Sequence, residues 1–294
     1  MRITLRQLQV FVHTANLNSL SEAANACHIT QSAASMALQE LESSLNKPLF
    51  DRVGKRLRLN SHGQTLLPKA TAILDQANTL ESQTFGLHHG IIKVGASTTI
   101  GNYVLPKYLA RFNQHHPDVS FNLFISNTDT VLAKISDLEL DFAFIEGACN
   151  APKIIKTKWL LDELKIVCRA NHVLAKKAVL NLKDLNPFSW VTREIGSGTR
   201  ERFNQALEDK INMKSEIILN NPEAIKNYIL NSNCLGYLSA ATLDHELKTK
   251  ILKVLQIKNL VIKRYFYKVS HSEKYQSELV KTFDLFFKGG LEGM

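Results

Sequence analysis

The stretch from Thr4 to Gly63, TLRQLQVFVHTANLNSLSEAANACHITQSAASMALQELESSLNKPLFDRVGKRLRLNSHG, constrains the fold more tightly than any other part of the chain. Leu5, Leu8, Phe11, Val12 and Ala15 recur at helical spacing and give a first helix one apolar face. Asn16-Leu17-Asn18 interrupts it. Ser19 and Glu22 have capping-box spacing at the start of a short, alanine-rich second helix over Leu20 to Cys27. Cys27-His28-Ile29 is the turn, and Thr30 is the N-cap of a third helix over Gln31 to Leu45, with Ala34, Leu38, Leu41 and Leu45 inward. Two short helices joined by so tight a turn are a helix-turn-helix.

The outer face of the third helix offers Gln31, Ser32, Ser35, Met36 and Gln39. Amide and hydroxyl groups on the first two turns suit base-edge hydrogen bonds in the major groove of DNA. An ordinary solvated helix would carry the same polarity, so the next residues decide. Pro48-Leu49-Phe50 makes a hydrophobic corner. Asp51 to Leu59 reads as a two-stranded wing with Gly54 near its tip, and Arg52, Lys55, Arg56 and Arg58 cluster on it. Cations beside a recognition helix fit phosphate contacts, which position a protein without reading sequence.

Charge alone does not single out this head. The chain of 294 residues carries a formal net +9, which suits an anionic partner. Residues 1–60 hold seven Lys/Arg against four Asp/Glu, and residues 61–88 one against two, so most of the excess lies downstream. The length predicts two or three domains. No apolar run approaches the ~20 residues that span a bilayer. Met1-Arg2-Ile3-Thr4 leads into alternating polarity rather than a signal peptide, so a cytoplasmic protein is expected. Cys27, Cys149, Cys168 and Cys234 lack CxxC spacing and read as reduced core residues.

The pieces LRQLQVFV, SLSEAA, ITQSAAS-x-x-LQELE, LFDR and LRLNSHG together resemble the LysR-type transcriptional regulators. The likeness is specific over about the first 65 residues and looser to the end. Members of that family often carry Arg or Lys after the serine of the third helix, where this chain has Met36; the phosphate grip is therefore expected to lean on the wing. The resemblance implies an N-terminal all-α winged helix-turn-helix over 1–60, a linker and dimerisation helix with a hinge over 61–90, and an effector-binding domain over 91–294. That domain would be two α/β lobes like a type 2 periplasmic binding protein, with lobe I at 91–161 and 264–294 and lobe II at 162–263. Double-stranded promoter DNA and a homodimer or homotetramer are implied, with no cofactor.

The residues after the head agree in pattern. Ser61 to about Phe85 reads as a helix of about 35 Å with a stripe through Leu66, Leu67, Ala70, Ile73, Leu74, Ala77 and Leu80. Packing on its own domain or antiparallel pairing with a second subunit would bury that stripe. Pro68 is placed to bend it, and Gly86 to Gly90 reads as a hinge. From Ile91 apolar strands, among them Leu164–Arg169, Glu216–Leu219 and Leu235–Ser239, alternate with helices, among them Asn102–Gln114, Ala241–Lys248 and a terminal Glu273–Phe287, which predicts a mostly parallel α/β sheet. Two strand-to-helix turns, Gly95 to Gly101 and Glu194 to Arg200, place small hydroxyl residues and glycines where free amides and the helix dipole favour an anion. Each hydroxyl taken singly also fits a helix cap. Ser97, Thr98 and Thr99, with Gly147 at a third strand end, are the lobe I candidates for a small anionic effector; Ser197 and Thr199 are those of lobe II. Arg200 either adds charge there or pairs with a carboxylate on its own helix. ASTTIGNYVLP and WVTREIGSGTR resemble a branch of regulators of sulfur and carbon assimilation.

Enzyme motifs are incomplete. Gly95 to Thr99 lacks the last glycine of GxSxG, Gly196-Ser197-Gly198 lacks the third glycine of a dinucleotide loop, and no HExxH or GxxxxGK[ST] occurs. Neither an enzyme nor a metal site is expected. A solute-binding protein would have the right C-terminal half but not the winged head.

Overall fold

A computed structural model describes residues 2–53, 56–82, 90–147, 149, 151–207 and 210–288. The chain divides into two compact units: residues 1–90 with 118–120 and 272–294, and residues 91–117 with 121–271.

The first unit opens with α1 (Leu5–Leu17), α2 (Leu20–Ala26) and α3 (Gln31–Leu45). Thr4 starts α1 with a capping box to Gln7, and Asn18 ends it in the left-handed conformation at φ 51°. Ser19 and Thr30 cap α2 and α3 by accepting from Glu22 N and Ala33 N. Leu8, Val10, Phe11, Ala24, Ala34, Leu38, Leu41 and Leu49 make one core; full burial of a side chain such as Phe11 stabilises by roughly 1.5–3 kcal/mol. The wing is an antiparallel pair, β1 (Phe50–Val53) with β2 (Arg56–Leu59). Gly54 and Lys55 lie outside the described residues, as do the side chains of Arg52 and Arg56.

Helix α4 (Ser61–Ser82) follows, with Pro68 inside it. Asn60 starts it by accepting from His62 N and Gly63 N. Gly63 is dictated by close approach, since a Cβ there would lie 2.3 Å from the Leu49 carbonyl oxygen. Along the stripe Ala70 is buried, whereas Ile73 and Leu80 are 46% and 70% exposed within the single chain. The hinge expected over Gly86 to Gly90 falls outside the described residues except for Gly90, which begins the next strand.

Nine strands of the described residues form one sheet. Its first end holds β4 (Val119–Ser126), β3 (Gly90–Ser97) and β5 (Phe142–Glu146), with α5 (Leu105–His115) and α6 (Thr128–Ser136). Its other end holds β9 (Leu235–Ser239), β7 (Trp190–Arg193) and β8 (Glu216–Leu219), with α7 (Gly198–Leu207) and α8 (Pro222–Leu230). Two long strands, β6 (Ile154–Arg169) and β11 (Ile262–His271), cross between them, and β10 (Leu252–Val254) pairs with β6. The mostly parallel sheet expected from the sequence needs correction. β3/β5, β7/β8 and β7/β9 are parallel, but β11 runs antiparallel to β5 and β6, and β6 to β9. The fold is α/β with two lobes at the ends of the sheet. Val131, Ile135, Ala143 and Ile145 fill the first lobe. The second packs both faces of its strands, Trp190, Phe203 and Tyr237 on one and Val191, Ile225 and Ile229 on the other.

Several bounds move. β6 begins at Ile154, ten residues before the expected Leu164, because its first half alternates in exposure and lacks a continuous apolar run. The helix expected from Asn102 splits into a π-helical turn, Ile100–Val104, and α5, with Pro106 in the first turn where no amide is needed. The helix expected over Ala241 to Lys248 splits into a 3-10 turn at Ala240–Thr242 and α9 (Asp244–Lys248). The last helix, α10, runs over Glu278–Lys288 rather than from Glu273. Cys27, Cys168 and Cys234 are buried and Cys149 is half-buried, all four free.

Candidate functional site

On the head, Gln31, Ser32, Ser35, Met36 and Gln39 are all exposed on α3, Met36 to 63%. The Ser32 hydroxyl lies 3.0 Å from that of Thr30, at the helix start. Met36 and Gln39 line a groove of about 540 Å³ that also takes in Arg2, Gln7, Glu40 and Ser43. The helix is pinned by side-chain hydrogen bonds: Gln7 Nε2 donates to Glu40 at 3.0 Å, and Glu42 accepts from Leu49 N at 2.7 Å, fixing the corner that leads into the wing. Arg58 is exposed on β2. The head thus presents a polar helix face and, on the wing, an exposed cation, the arrangement that a groove and its phosphates require.

In the second unit three of the five hydroxyls singled out by sequence, those of Ser97, Thr99 and Thr199, come together around a residue that sequence reasoning missed, Glu146. It ends β5 and is 1% exposed. Its Oε1 accepts from Ser97 Oγ at 3.1 Å, and its Oε2 from Thr199 Oγ1 at 2.6 Å and Arg264 Nη1 at 2.7 Å. Burial by itself would raise the pKa of this carboxyl. The Arg264 guanidinium and the hydroxyls of Thr199 and Thr99 outweigh burial and hold it below its ordinary value. Arg264 also donates from Nε to Asp162 at 2.7 Å, and Asp162 accepts from Ser239 Oγ at 2.7 Å. This chain of buried polar groups runs from the first lobe, across both long strands, into the second.

Neither turn uses its hydroxyls as simple caps. Thr98 donates to the Ser126 carbonyl at 3.2 Å and accepts from Arg193 Nη2 at 3.3 Å; Arg193 is 2% exposed and paired with Glu194 at 2.8 Å. Gly147, at φ 84°, turns the chain out of β5 in a conformation that favours glycine. Arg200 pairs with a carboxylate, that of Glu216 on β8 at 2.9 Å, and not with one on its own helix. Two polar atoms stand apart. Ser197 Oγ, on a residue 3% exposed just before α7, and Arg264 Nη2 are buried with no hydrogen-bond partner. A buried donor without a partner costs about 1–3 kcal/mol.

Further contacts span the lobes. Asp129 N at the start of α6 donates to Gly196 O at 3.4 Å. Tyr103, in the π-helical turn, donates its hydroxyl to Glu223 on α8. Glu223 is in turn 2.7 Å from the buried Lys226, which also reaches Glu246 at 2.8 Å. Burial, with the adjacent Glu223 carboxylate, raises the Tyr103 pKa. A π-helical turn often marks a functional position. A sequence signal was present for Glu146, a lone charge in the otherwise apolar strand FAFIE; Arg264 shares IKRYFYKV with Lys263 and Lys268, so its strand does not single it out.

Residues 5–64 match the bacterial regulatory helix-turn-helix protein, lysR family, and residues 85–290 match the LysR substrate binding domain. The chain is similar to the HTH-type transcriptional regulator YeiE of Escherichia coli (strain K12), 37% identical over 286 residues that make up 96% of each. In fold it is similar to a full-length OxyR variant from Pseudomonas aeruginosa, with a TM-score of 0.75 over 98% of this chain and 94% of that one at 19% identity. The regulatory domain of Synechocystis PCC6803 CcmR, solved in complex with 2-PG, matches 70% of this chain with 99% of its own at a TM-score of 0.65 and 26% identity. A helix-turn-helix with a wing at one end and a two-lobed α/β domain at the other, each matched in place, make this chain a member of the LysR family of transcriptional regulators.

Proposed function

We propose that this regulator binds promoter DNA through Gln31, Ser32, Ser35, Met36 and Gln39 on α3 and through Arg52, Lys55, Arg56 and Arg58 on the wing. Its binding is modulated by a small anionic effector held between the two lobes. Two heads work as a pair on a near-palindrome, in a cytoplasmic homodimer or homotetramer; one small head makes too few contacts for specific binding. The exposed Ile73 and Leu80 of α4 support a partner helix. In the partition we favour, residues 61–90 link the head to an effector domain whose lobe I takes in 91–161 and 264–294 and whose lobe II takes in 162–263. Residues 272–294 group with the N-terminal unit in the single chain.

The observation that carries the effector reading is the unpartnered Ser197 hydroxyl at the start of α7, with the spare Nη2 donor of Arg264. Both are hydrogen-bond donors, and Arg264 brings a positive charge. Ser97, Thr98, Thr99, Gly147 and Thr199 frame the same region. The bound 2-PG of the CcmR domain supports a small ligand for this fold. Coupling to DNA requires the effector to favour one lobe arrangement over another. A thermal-shift screen of small anions and metabolites on the full chain tests the reading. A ligand that raises the midpoint by mass action and changes operator affinity supports it. Binders that leave operator affinity untouched count against it.

A further inference from the structure

The hydroxyls expected to hold a ligand's anion are engaged by one of the protein's own carboxylates. Ser97 and Thr99 come from the turn after β3, Thr199 from the first turn of α7 and Arg264 from β11, and all four converge on Glu146. Thr199 belongs to the second lobe, and Ser97 and Thr99 to the first. The carboxylate therefore ties the lobes by the hydrogen bonds that a bound anion would make. Stability alone does not explain such a cradle. A buried ion pair contributes little net free energy compared with apolar residues of the same size, and here one guanidinium is shared between two carboxylates, Glu146 and Asp162, all with side chains 2–3% exposed.

Resting on the effector-cleft reading above, we propose that Glu146 is a tethered internal anion. It occupies the cup of hydroxyls and guanidinium, holds Thr199 against the first lobe, and leaves Ser197 Oγ and Arg264 Nη2 as the donors that meet an effector. The anionic group of the effector is thus read beside the cup and not inside it.

The test is chemical replacement of the missing carboxylate. Glu146→Ala and Glu146→Gln are made in the full chain, and thermal unfolding is followed in sodium acetate against sodium chloride at equal ionic strength. Alanine leaves room for acetate beside an uncompensated Arg264, so acetate should stabilise this variant saturably, with a half-saturation concentration at least tenfold below that of wild type. Glutamine fills the same volume and should show no acetate-specific rise. Should Glu146→Ala not fold on expression, refolding in acetate should recover it, followed by circular dichroism, and refolding in chloride should not. Equal recovery in the two salts, or equal stabilisation of all three proteins, overturns the proposal. Either result leaves the effector reading standing, because that is tested separately by an anion that binds wild type and loses binding in Ser197→Ala.

Discussion

Thr199 Oγ1 lies 2.6 Å from Glu146 Oε2, and this one hydrogen bond joins the first turn of α7 to the end of β5. The same Glu146 oxygen accepts from Arg264, whose other contacts lead to Asp162 and Ser239. A displacement of either lobe therefore strains groups in the long strands that connect them. Polar networks of this kind are sensitive to the loss of any one member, since the groups left behind are buried and unpaired.

Removal of the shared cation should be severe. Arg264→Ala leaves Glu146 and Asp162 buried without compensation, and breaking a buried pair costs about 3–5 kcal/mol. Urea denaturation of the full chain measures it; a loss below about 1 kcal/mol would show that the two carboxylates are neutral or solvated.

Acid should weaken the same network. Glu146 has a folded pKa below its ordinary value of 4.5. Its contribution is complete above that value and is lost as the pH falls through the lower folded value. The stability gap between wild type and Glu146→Gln should hold steady well above pH 4.5 and narrow as the pH falls below it. A gap that does not change with pH would mean that folding leaves the affinity of this carboxyl for protons unchanged, and one that widens in acid would mean that Glu146 is held neutral.

Ser197→Ala separates a structural hydroxyl from a binding one. The hydroxyl is buried and has no partner, so its loss should not destabilise the fold and should raise stability by about 1–3 kcal/mol. The response of operator binding to the anion found by thermal shift should disappear. A variant that responds as wild type does would remove Ser197 from the effector site.

On the head, Arg58→Ala should weaken binding to all DNA sequences alike and lower the salt slope by about one. Gln31→Ala should instead relax preference at particular base pairs while leaving that slope unchanged. Fluorescence anisotropy over a salt series with operator and random duplexes distinguishes the two; exchanged effects would reverse the phosphate and base roles.

Gly63→Ala tests the packing of α4 on the head. An added Cβ meets the Leu49 carbonyl at 2.3 Å and Leu59 Cδ2 at 2.4 Å, an overpacking that costs roughly 1–3 kcal/mol. A lowered unfolding midpoint is expected; an unchanged one would mean that the corner at Pro48 to Phe50 yields freely.

Much of the head could be read directly from the residues. Its caps, its buried stripe and the span of α3 depend on neighbours within a few positions, and Ser19, Thr30 and Gln31–Leu45 stand as their spacing predicts. The strands of the C-terminal unit were legible where apolar runs are continuous, as in Glu216–Leu219 and Leu235–Ser239. They were not legible over the first half of β6, where one face meets solvent and the pattern thins.

The sequence by itself determined the local chemistry: which residues start helices, which face of α3 is polar, and that two turns carry hydroxyls suited to an anion. Tertiary structure decided what those hydroxyls hold. Ser97 and Glu146 are 49 positions apart, and Arg264 and Glu146 are 118 apart. A charge in a strand carries no mark of its partner when that partner arrives from another strand. Only the antiparallel register of β11 against β5 and β6 brings Arg264 between Glu146 and Asp162, because pairing at that distance is set by how the strands stack and not by spacing along the chain.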